Sequence, residues 1–272
     1  MNKPLFSIIT ISFNSAATIE RTIQSVLDQT FTDYEYIIVD GASKDSTVEK
    51  IQSYESRFNG RMSWISEPDN GIYNAMNKGI KMANGQIIGI INSDDWLETD
   101  TLELLQGFVK KNNLSIEKPL ILTGCINYKY PDGTKQLFRT SYKRYSKNAE
   151  ALRMGLNHPA TFVTSELYRQ IGHFDENYYL YADADLFIRC YREKVEIHFL
   201  DVILANMSDG GASAKPSKRS MADIEYRYRK FGNNEFQIRI KLLRDYLYSL
   251  LKYYMPTPLM KIIRCIKSAL KI

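Results

Sequence analysis

Two adjacent aspartates, Asp94 and Asp95, stand directly after an apolar run in the stretch IINSDDWL (residues 90–97). Carboxylates this close repel each other, and each resists leaving water unless a positive charge compensates it. Magnesium in proteins is commonly held by one or two carboxylates together with phosphate oxygens of a substrate. The pair therefore predicts a site where Mg²⁺ or Mn²⁺ binds beside a phosphate-bearing ligand. The alternative is that one aspartate caps the next helix and the other is solvated.

Three more polar segments follow predicted strands: SFN (12–14), DGASKDS (40–46) and EPDNG (67–71). Open parallel sheets bind ligands at the carboxyl ends of their strands, so these segments and the aspartate pair should meet at one edge. Asp40 comes directly after the apolar run IIV and is predicted to accept a hydrogen bond from a nucleotide base or a ribose hydroxyl. Its alternative role is to form a turn and begin a helix.

Several classes of site are excluded by the absence of their motifs. Neither GxxxxGK[ST] nor GxGxxG occurs in the chain, which argues against a P-loop NTPase and a conventional dinucleotide-dependent dehydrogenase. The three cysteines show no CxxC spacing, so neither a disulfide framework nor a zinc site is indicated. No window approaches the roughly 18 to 20 uninterrupted apolar residues of a membrane span. We therefore do not expect an integral membrane protein.

The elements that must position these residues alternate between strands and helices in the first half of the chain. Strands are predicted at residues 5–13, 34–40, 62–66 and 86–92, with helices at 17–29, after Ser46, at 71–85 and at 99–112. Ser46 and Glu49 have the spacing of a capping box. This alternation predicts an α/β fold, a Rossmann-like α/β/α sandwich with a mainly parallel central sheet. A hairpin around the turn YPDGT (130–134) follows Pro119.

Five segments resemble, in order, the family 2 glycosyltransferases, which have the GT-A fold. They are SIITISFN, VDGASKDST, EPDNGIYNAMNKGI, GQIIGIINSDDWL and GHFDENYYLYADADLFIR, and they span roughly residues 5 to 192. The resemblance implies a nucleotide-sugar-binding half at 1–115 and an acceptor-binding half at 116–214 of one GT-A domain. Residues 215–272 then form a C-terminal helical extension.

The resemblance implies transfer of a sugar from a nucleotide diphosphate sugar, with inversion and with Mg²⁺ or Mn²⁺. Asp40 matches the acid that reads the base, most often uracil, and Phe13 takes the place of the aromatic residue near that base. Asp69 lies in a segment that lines the nucleotide pocket. Asp94 and Asp95 match the DxD-type region that meets the ribose and the metal. The chain departs from the commonest pattern by having asparagine at position 92, where an acid is frequent.

Transfer also needs a base, because the acceptor hydroxyl must lose its proton as it attacks. In YADADLFIR the later acidic motif of the family aligns on Asp183, with Ala182 where glutamate is common. An unperturbed aspartate has a pKa of about 3.9 and is ionised at neutral pH, so Asp183 is predicted to be the base. Asp185 is assigned to the acceptor region and to the start of a helix. His158, in NHPATF, is either near the acceptor cleft or a packing residue.

The C-terminal 58 residues are strongly basic, with 14 lysines and arginines against four acids. FQIRIKLLRDYLYSLLKYY (236–254) places Phe236, Ile240, Leu243, Leu247, Leu250 and Tyr254 on one helical stripe, and residues 259–270 repeat the pattern. Two such helices predict binding to an anionic membrane surface. The alternative is packing against the body or a homodimer interface. No nucleic-acid motif is present, so nucleic acid is not expected as a partner.

Together with these features, the resemblance implies a metal-dependent, inverting glycosyltransferase that uses a UDP-sugar and transfers a hexosyl or N-acetylhexosaminyl group. The predicted acceptor is a lipid-linked saccharide in surface polysaccharide biosynthesis, and the predicted location is cytoplasmic, peripheral on the inner face of the cell membrane. The alternatives are a nucleotidyltransferase and an inactive scaffold protein that binds nucleotide sugars.

Overall fold

A nine-stranded sheet forms the centre of the computed structural model, which describes residues 3–130, 132–208 and 217–254, with side chains up to residue 247. The strands are β1 (Phe6–Ser12), β2 (Tyr34–Asp40), β3 (Met62–Ser66), β4 (Ile87–Asn92), β5 (Trp96–Leu97), β6 (Leu120–Lys129), β7 (Lys135–Phe138), β8 (Thr161–Thr164) and β9 (Glu196–Ser208). Their order is β3-β2-β1-β4-β8-β6-β9-β5, and β7 pairs with β6.

The first four strands are parallel, as the alternating pattern predicts. β1 pairs with β2 on one side and with β4 on the other, and β2 pairs with β3. All seven residues of β1 are buried because helices cover both faces of the sheet. The carboxyl ends of these strands consequently lie along one edge, with Ser12 directly opposite Asp40.

The second half of the sheet mixes directions. β8 runs antiparallel between β4 and β6, β9 runs parallel to β6, and β5 runs antiparallel to β9. β6 and β7 form the predicted hairpin. The sheet therefore continues past β4 without a break, and the second half of the chain extends the same sheet instead of forming a separate one.

The helices pack in two layers, one on each face of the sheet. They are α1 (Ile19–Leu27), α2 (Thr47–Glu55), α3 (Ile72–Met82), α4 (Thr101–Lys111), α5 (Tyr142–Glu150), α6 (Ser165–Ile171), α7 (Ala182–Arg192), α8 (Lys218–Lys230) and α9 (Glu235–Tyr254). Alternate residues of β1 enter different cores: Phe6 and Ile8 belong to the core that contains residues of α1, α2 and α4, whereas Ile9 and Ile11 belong to the core that contains residues of α3 and α5–α9. The predicted α/β/α sandwich is confirmed.

The predicted capping box at the start of α2 is wrong. Ser46 occupies the N-cap position but makes no capping hydrogen bond through its side chain. The Asp45 carboxylate instead accepts hydrogen bonds from the N–H and the hydroxyl of Thr47, and from the N–H of Ala16. The acid therefore satisfies the helix start and ties it to the loop after β1.

The predicted tail helix over residues 236–254 is confirmed as α9, and one face of it packs on the body. Ile238 is buried, and Asp245 accepts hydrogen bonds from Arg153 at 2.5 Å and from the Tyr228 hydroxyl of α8 at 2.5 Å. No helix within the described ranges has the length and hydrophobicity of a membrane span. The second predicted helix, at 259–270, lies outside the described residues.

Candidate active site

The loops after β1, β2 and β4 are joined by hydrogen bonds at the carboxyl edge of the sheet. The Asn14 N–H donates to Ser43 Oγ at 2.8 Å, and the hydroxyls of Ser15 and Ser93 lie 2.7 Å apart. Asn14 and Ala42 have φ angles of 48° and 59°, in a left-handed region that is costly for residues with a side chain. Asn14 is held in that conformation by its N–H bond to Ser43 Oγ and by its Oδ1, which accepts from the Lys44 N–H at 2.8 Å.

Asp40 is fully buried at the end of β2, and its carboxylate accepts four hydrogen bonds. The donors are Ser12 Oγ at 2.9 Å, Ser43 N–H at 2.9 Å, Ser43 Oγ at 2.5 Å and Ser66 Oγ at 2.8 Å. A carboxylate has about four lone-pair positions, so this chain uses all of them. Direct contact with a base or ribose would require one of these donors to be exchanged, and the base-reading role of Asp40 stays a prediction.

Phe13 and Asp69 meet against the backbone of Gly41. A Cβ atom added to Gly41 would lie 2.6 Å from Asp69 Oδ2 and 3.3 Å from Phe13 Cδ2. Phe13 is 62% exposed, so its ring is accessible to a ligand. The structure thus brings together an exposed ring, a carboxylate and a side-chain-free backbone segment, which suits the binding of a flat aromatic group.

The Asp94–Asp95 turn is held from two sides. Thr22 of α1 donates its hydroxyl to the Asp95 carbonyl oxygen at 2.6 Å. The Asp95 carboxylate accepts from the Ser208 N–H at 3.3 Å and from Asn92 Nδ2 at 3.4 Å, and the residue is only 1% exposed. Asp95 is therefore a buried carboxylate whose hydrogen bonds are few and long.

The environment of the aspartate pair disfavours negative charge. Burial raises the pKa of Asp94, and burial together with the Asp94 charge raises the pKa of Asp95 well above its ordinary value. Arg21 opposes both shifts: its guanidinium donates to the Asp94 carbonyl oxygen at 2.7 Å and stacks 3.8 Å from the centre of the Trp96 ring. A bound cation would supply the charge compensation that this single arginine leaves incomplete.

The residues present fit a hard divalent cation. The Oδ1 atom of Asn92 is buried and has no hydrogen-bond partner among the described residues, which leaves an amide oxygen beside two carboxylates. Oxygen ligands of this kind are those that Mg²⁺ prefers. Within the described ranges no group of three or more His, Cys, Asp or Glu side chains is close enough to hold a metal. The chain thus offers a partial ligand set, which phosphate oxygens would complete.

Asp183 lies in the first turn of α7 and is half-buried. Its Oδ1 accepts from the Ala184 N–H at 2.7 Å and from the Tyr73 hydroxyl at the longer distance of 3.5 Å, while that hydroxyl also donates to the Leu180 carbonyl at 2.5 Å. Burial raises the pKa of Asp183 above its ordinary value. A raised pKa moves the carboxylate toward the working pH of a general base.

His158 is close enough to Asp183 for their charges to interact. Burial lowers the pKa of His158, and the Asp183 carboxylate acts in the opposite direction. The imidazole ring also contacts Phe174 edge-on, with 6.3 Å between ring centroids. His158 therefore lies within electrostatic range of the predicted base, while a role in acceptor binding stays a prediction.

Asp185 is fully buried and holds α7 against its neighbours. It accepts from the Tyr178 hydroxyl at 3.1 Å and forms ion pairs with Arg189 at 2.9 Å and Lys230 of α8 at 2.8 Å. Residues two apart on a helix do not share a face, so Asp185 and Asp183 have different surroundings. The helix begins at Ala182, so the prediction that Asp185 starts it is wrong.

Several residues of this site carry no motif. Arg21 and Thr22 support the aspartate turn from α1, and Ser208 meets it from the end of β9, which is 113 residues from Asp95 in the chain. Tyr73 reaches the 180–183 segment from α3. A short polar residue or a tyrosine at such a sequence separation gives no local signal, so sequence reasoning does not find these positions.

Residues 7–165, more than half of the chain, match the family model of glycosyl transferase family 2. A glycosyltransferase of PGL/p-HBAD biosynthesis from Mycobacterium bovis is 28% identical over 214 residues, which cover 78% of this chain and 79% of that relative.

Two solved structures have a similar fold. The first, S. aureus TarS 1-349 in complex with UDP-GlcNAc, aligns with a TM-score of 0.65 and 19% identity, covering 91% of this chain and 73% of that chain. The second is the mannosyltransferase PcManGT from Pyrobaculum calidifontis in complex with GDP-Man and Mn²⁺, with a TM-score of 0.53, 16% identity, and coverage of 85% and 63%. At these identities the likeness concerns the fold.

Proposed function

This chain belongs to glycosyl transferase family 2, and from that membership we propose that it transfers a hexosyl or N-acetylhexosaminyl group from a UDP-sugar to a saccharide acceptor with inversion. Its fold is the GT-A fold. The observation that carries the proposal is that the cluster of Phe13, Gly41 and Asp69 lies at the same carboxyl edge of the sheet as the Asp94–Asp95 turn. Family membership favours sugar transfer over the nucleotidyltransferase alternative.

The donor would bind along the carboxyl edge of the first four strands. The exposed Phe13 ring offers a face for a base, and Asp69 offers a carboxylate for the polar edge of the nucleoside. Asp40 orders the loop around Gly41 through its bonds to Ser43. We propose that Asp40 acts on the base mainly through this loop.

The diphosphate would lie at the aspartate turn. Asp94, Asp95 and Asn92 Oδ1 would hold Mg²⁺ or Mn²⁺, which supplies positive charge for the departing nucleotide diphosphate. Arg21 and Thr22 fix the carbonyl groups of the two aspartates, so the orientation of the turn is set by α1.

Asp183 would accept the proton of the acceptor hydroxyl. The hydroxyl oxygen forms a bond to the anomeric carbon while the bond from that carbon to the β-phosphate oxygen breaks, and the proton moves to the Asp183 carboxylate. Attack from the side opposite the leaving group inverts the anomeric configuration. Tyr73 holds the segment before Asp183 by its bond to the Leu180 carbonyl.

Binding of the donor is tested by thermal unfolding with a panel of nucleotide sugars. A UDP-sugar with Mn²⁺ should raise the melting temperature, since saturation at 100 times Kd adds about 2.7 kcal/mol of stability. Gly41→Ala should weaken UDP binding at least about tenfold, because the new methyl group displaces Asp69 and Phe13. Gly107→Ala is the matched control, since nothing lies within 4 Å of the added Cβ. An unchanged melting temperature with every nucleotide sugar would refute the proposal, and turnover distinguishes an enzyme from an inactive binding protein.

We further propose that α9 places the enzyme on the cytoplasmic face of an anionic membrane, where the acceptor is a lipid-linked saccharide for surface polysaccharide. The outer stripe of α9 (Phe236, Ile240, Leu243 and Leu247) is exposed, whereas Ile238 on another face packs on the body. Basic amphipathic helices of this kind bind shallowly to anionic lipid. The exposed stripe and the basic charge of residues 215–272 support membrane binding over packing on the body; a homodimer interface remains the alternative.

Replacing two residues of the outer stripe (Phe236→Ser with Leu243→Ser) should release the protein from vesicles containing anionic lipid. Burial of each side chain is worth about 1.5 to 3 kcal/mol, so the double variant should bind at least about a hundredfold more weakly. Vesicle co-sedimentation measures the loss, with neutral vesicles as the control. The melting temperature should not change, because both side chains are exposed. Equal sedimentation of both proteins would contradict the membrane role, and loss of a dimer instead would favour the interface.

A further inference from the structure

Arg227 of α8 is a buried arginine without a hydrogen-bonding partner. Its side chain is 4% exposed, and its Nε atom is buried and unpaired. Within the described ranges no hydrogen bond or ion pair uses its guanidinium. The two terminal nitrogens are not buried in the same way, because they keep contact with solvent. A guanidinium keeps its charge at any working pH and carries five N–H donors, so a buried Nε–H without an acceptor is unfavourable and the terminal N–H groups can still reach a ligand. The position therefore calls for an acceptor that the chain itself does not provide.

The guanidinium lies beside the segment that leads to Asp183. Asp223, one helical turn before Arg227, accepts hydrogen bonds from the N–H groups of Tyr179 and Leu180 at 2.9 Å and 2.6 Å. The Arg227 Cζ atom stands 5.5 Å from the centre of the Tyr181 ring. The charge of Arg227 also opposes the upward shift in the pKa of Asp183. Arg227 therefore lies next to the segment that carries the predicted base, Asp183.

Nearby acids already have partners. Asp185 is paired with Arg189 and Lys230, and Asp223 holds the two backbone N–H groups. Asp183 makes no hydrogen bond to Arg227 within the described ranges. An oxyanion from a ligand would satisfy the planar, forked donor set of arginine, which matches phosphate and carboxylate geometry.

We propose that Arg227 binds an oxyanion of the acceptor substrate, either the phosphate of a lipid-linked saccharide or the carboxylate of an acidic sugar. This inference rests on the proposed function, because Asp183 marks where the acceptor hydroxyl must lie. The donor diphosphate is assigned to the Asp94–Asp95 turn, which has its own cation-binding groups and Arg21. Arg227 is therefore a substrate-binding residue on the acceptor side, and it selects acidic acceptors over neutral ones.

The experiment measures binding of three probes by thermal shift, with UDP and Mg²⁺ saturating so that the donor site is filled. The probes are glucose 1-phosphate, methyl glucuronide and methyl glucoside. Arg227→Gln should weaken binding of an anionic probe at least about tenfold, since a charged hydrogen bond of this kind is typically worth a factor of ten or more. Binding of methyl glucoside should be unaffected. Arg229→Gln, an exposed arginine on the same helix, is the matched control and should bind all probes as the unaltered protein does.

The possible results distinguish the two sources of the oxyanion, and they distinguish failure of this proposal from failure of the proposed function. Preference for glucose 1-phosphate indicates a phosphate-bearing acceptor, and preference for methyl glucuronide indicates an acidic sugar. Arg227→Lys keeps the charge but loses the fork, so an intermediate affinity supports the proposal even if Arg227→Gln does not fold. The proposal is overturned if no anionic probe binds, if both variants bind the anions normally, or if Arg227→Gln weakens UDP instead. Failure of the unaltered protein to bind UDP would count against the proposed function. In that case the binding of the three probes without UDP would still test the role of Arg227.

Discussion

Asp183→Asn should lower the rate of sugar transfer by about 10²- to 10⁴-fold, the range typical for loss of a general base. The amide has the same shape as the carboxylate but does not accept the proton of the acceptor hydroxyl. It can still accept the Ala184 N–H through its remaining oxygen, so the start of α7 should stay intact. The measurement is transfer at saturating donor, together with UDP affinity, which should be unchanged.

The pH dependence of kcat/KM is a second test of Asp183. Burial raises the pKa of Asp183, so the acidic limb of kcat/KM for the unaltered enzyme should lie above the pH at which an ordinary aspartate ionises, and activity should rise as the carboxylate ionises. Glu193→Gln, at the exposed end of the same helix, is the control and should leave both rate and profile unchanged. Transfer by Asp183→Asn at the ordinary rate would remove this residue from the mechanism.

Asp94→Asn combined with Asp95→Asn should abolish the dependence of UDP binding on Mn²⁺ and lower transfer at least about a hundredfold. Charge stabilisation by a metal is worth several kcal/mol in such reactions, and two amides do not provide the negative charge that holds it. Titration of UDP by thermal shift, with and without Mn²⁺, measures the loss. Asp100→Asn, an exposed acid a few residues further along, is the control. Persistent Mn²⁺ dependence would place the metal elsewhere.

The same double variant should be at least as stable as the unaltered protein when metal is absent. The folded-state pKa of Asp95 is raised, so the protonated form contributes stability below its unfolded pKa, and this contribution is lost as pH rises through the raised value. At neutral pH the metal-free protein has lost this contribution to stability because Asp95 is no longer favourably protonated. The amide of asparagine carries no charge, so the variant does not lose stability in this way. Asn92 is able to rotate its amide so that its unpaired Oδ1 accepts from the new side chain. The gain should disappear below about pH 4.

Much of the sheet is predictable because its signals are local. The run FSIITIS needs no partner to indicate a buried strand, and alternation with amphipathic helices implies parallel pairing. The start of α2 is a case where two local signals compete: Ser46 has the expected spacing, but Asp45 makes the hydrogen bonds to Thr47. Spacing alone does not distinguish between them.

The site is only partly predictable because its support comes from distant residues. The sequence indicates Asp40 as a polar residue at a strand end, but the serine donors that bury it come from the ends of three strands. The acidic pair in YADAD is visible, yet only tertiary contacts show that Asp185 is held by Lys230 whereas Asp183 lies near His158. Arg227 carries no motif, and its importance follows from burial alone.

The buried carboxylate of Asp40 has a consequence for how the donor binds. Its four hydrogen-bond donors already join the ends of β1 and β3 and the loop after β2 in the ligand-free chain. The conformational entropy of these loops is therefore lost when the chain folds, and encounter with the ligand costs little further ordering. The proposed nucleotide pocket would therefore be preorganised, so that contact free energy there would go directly into affinity.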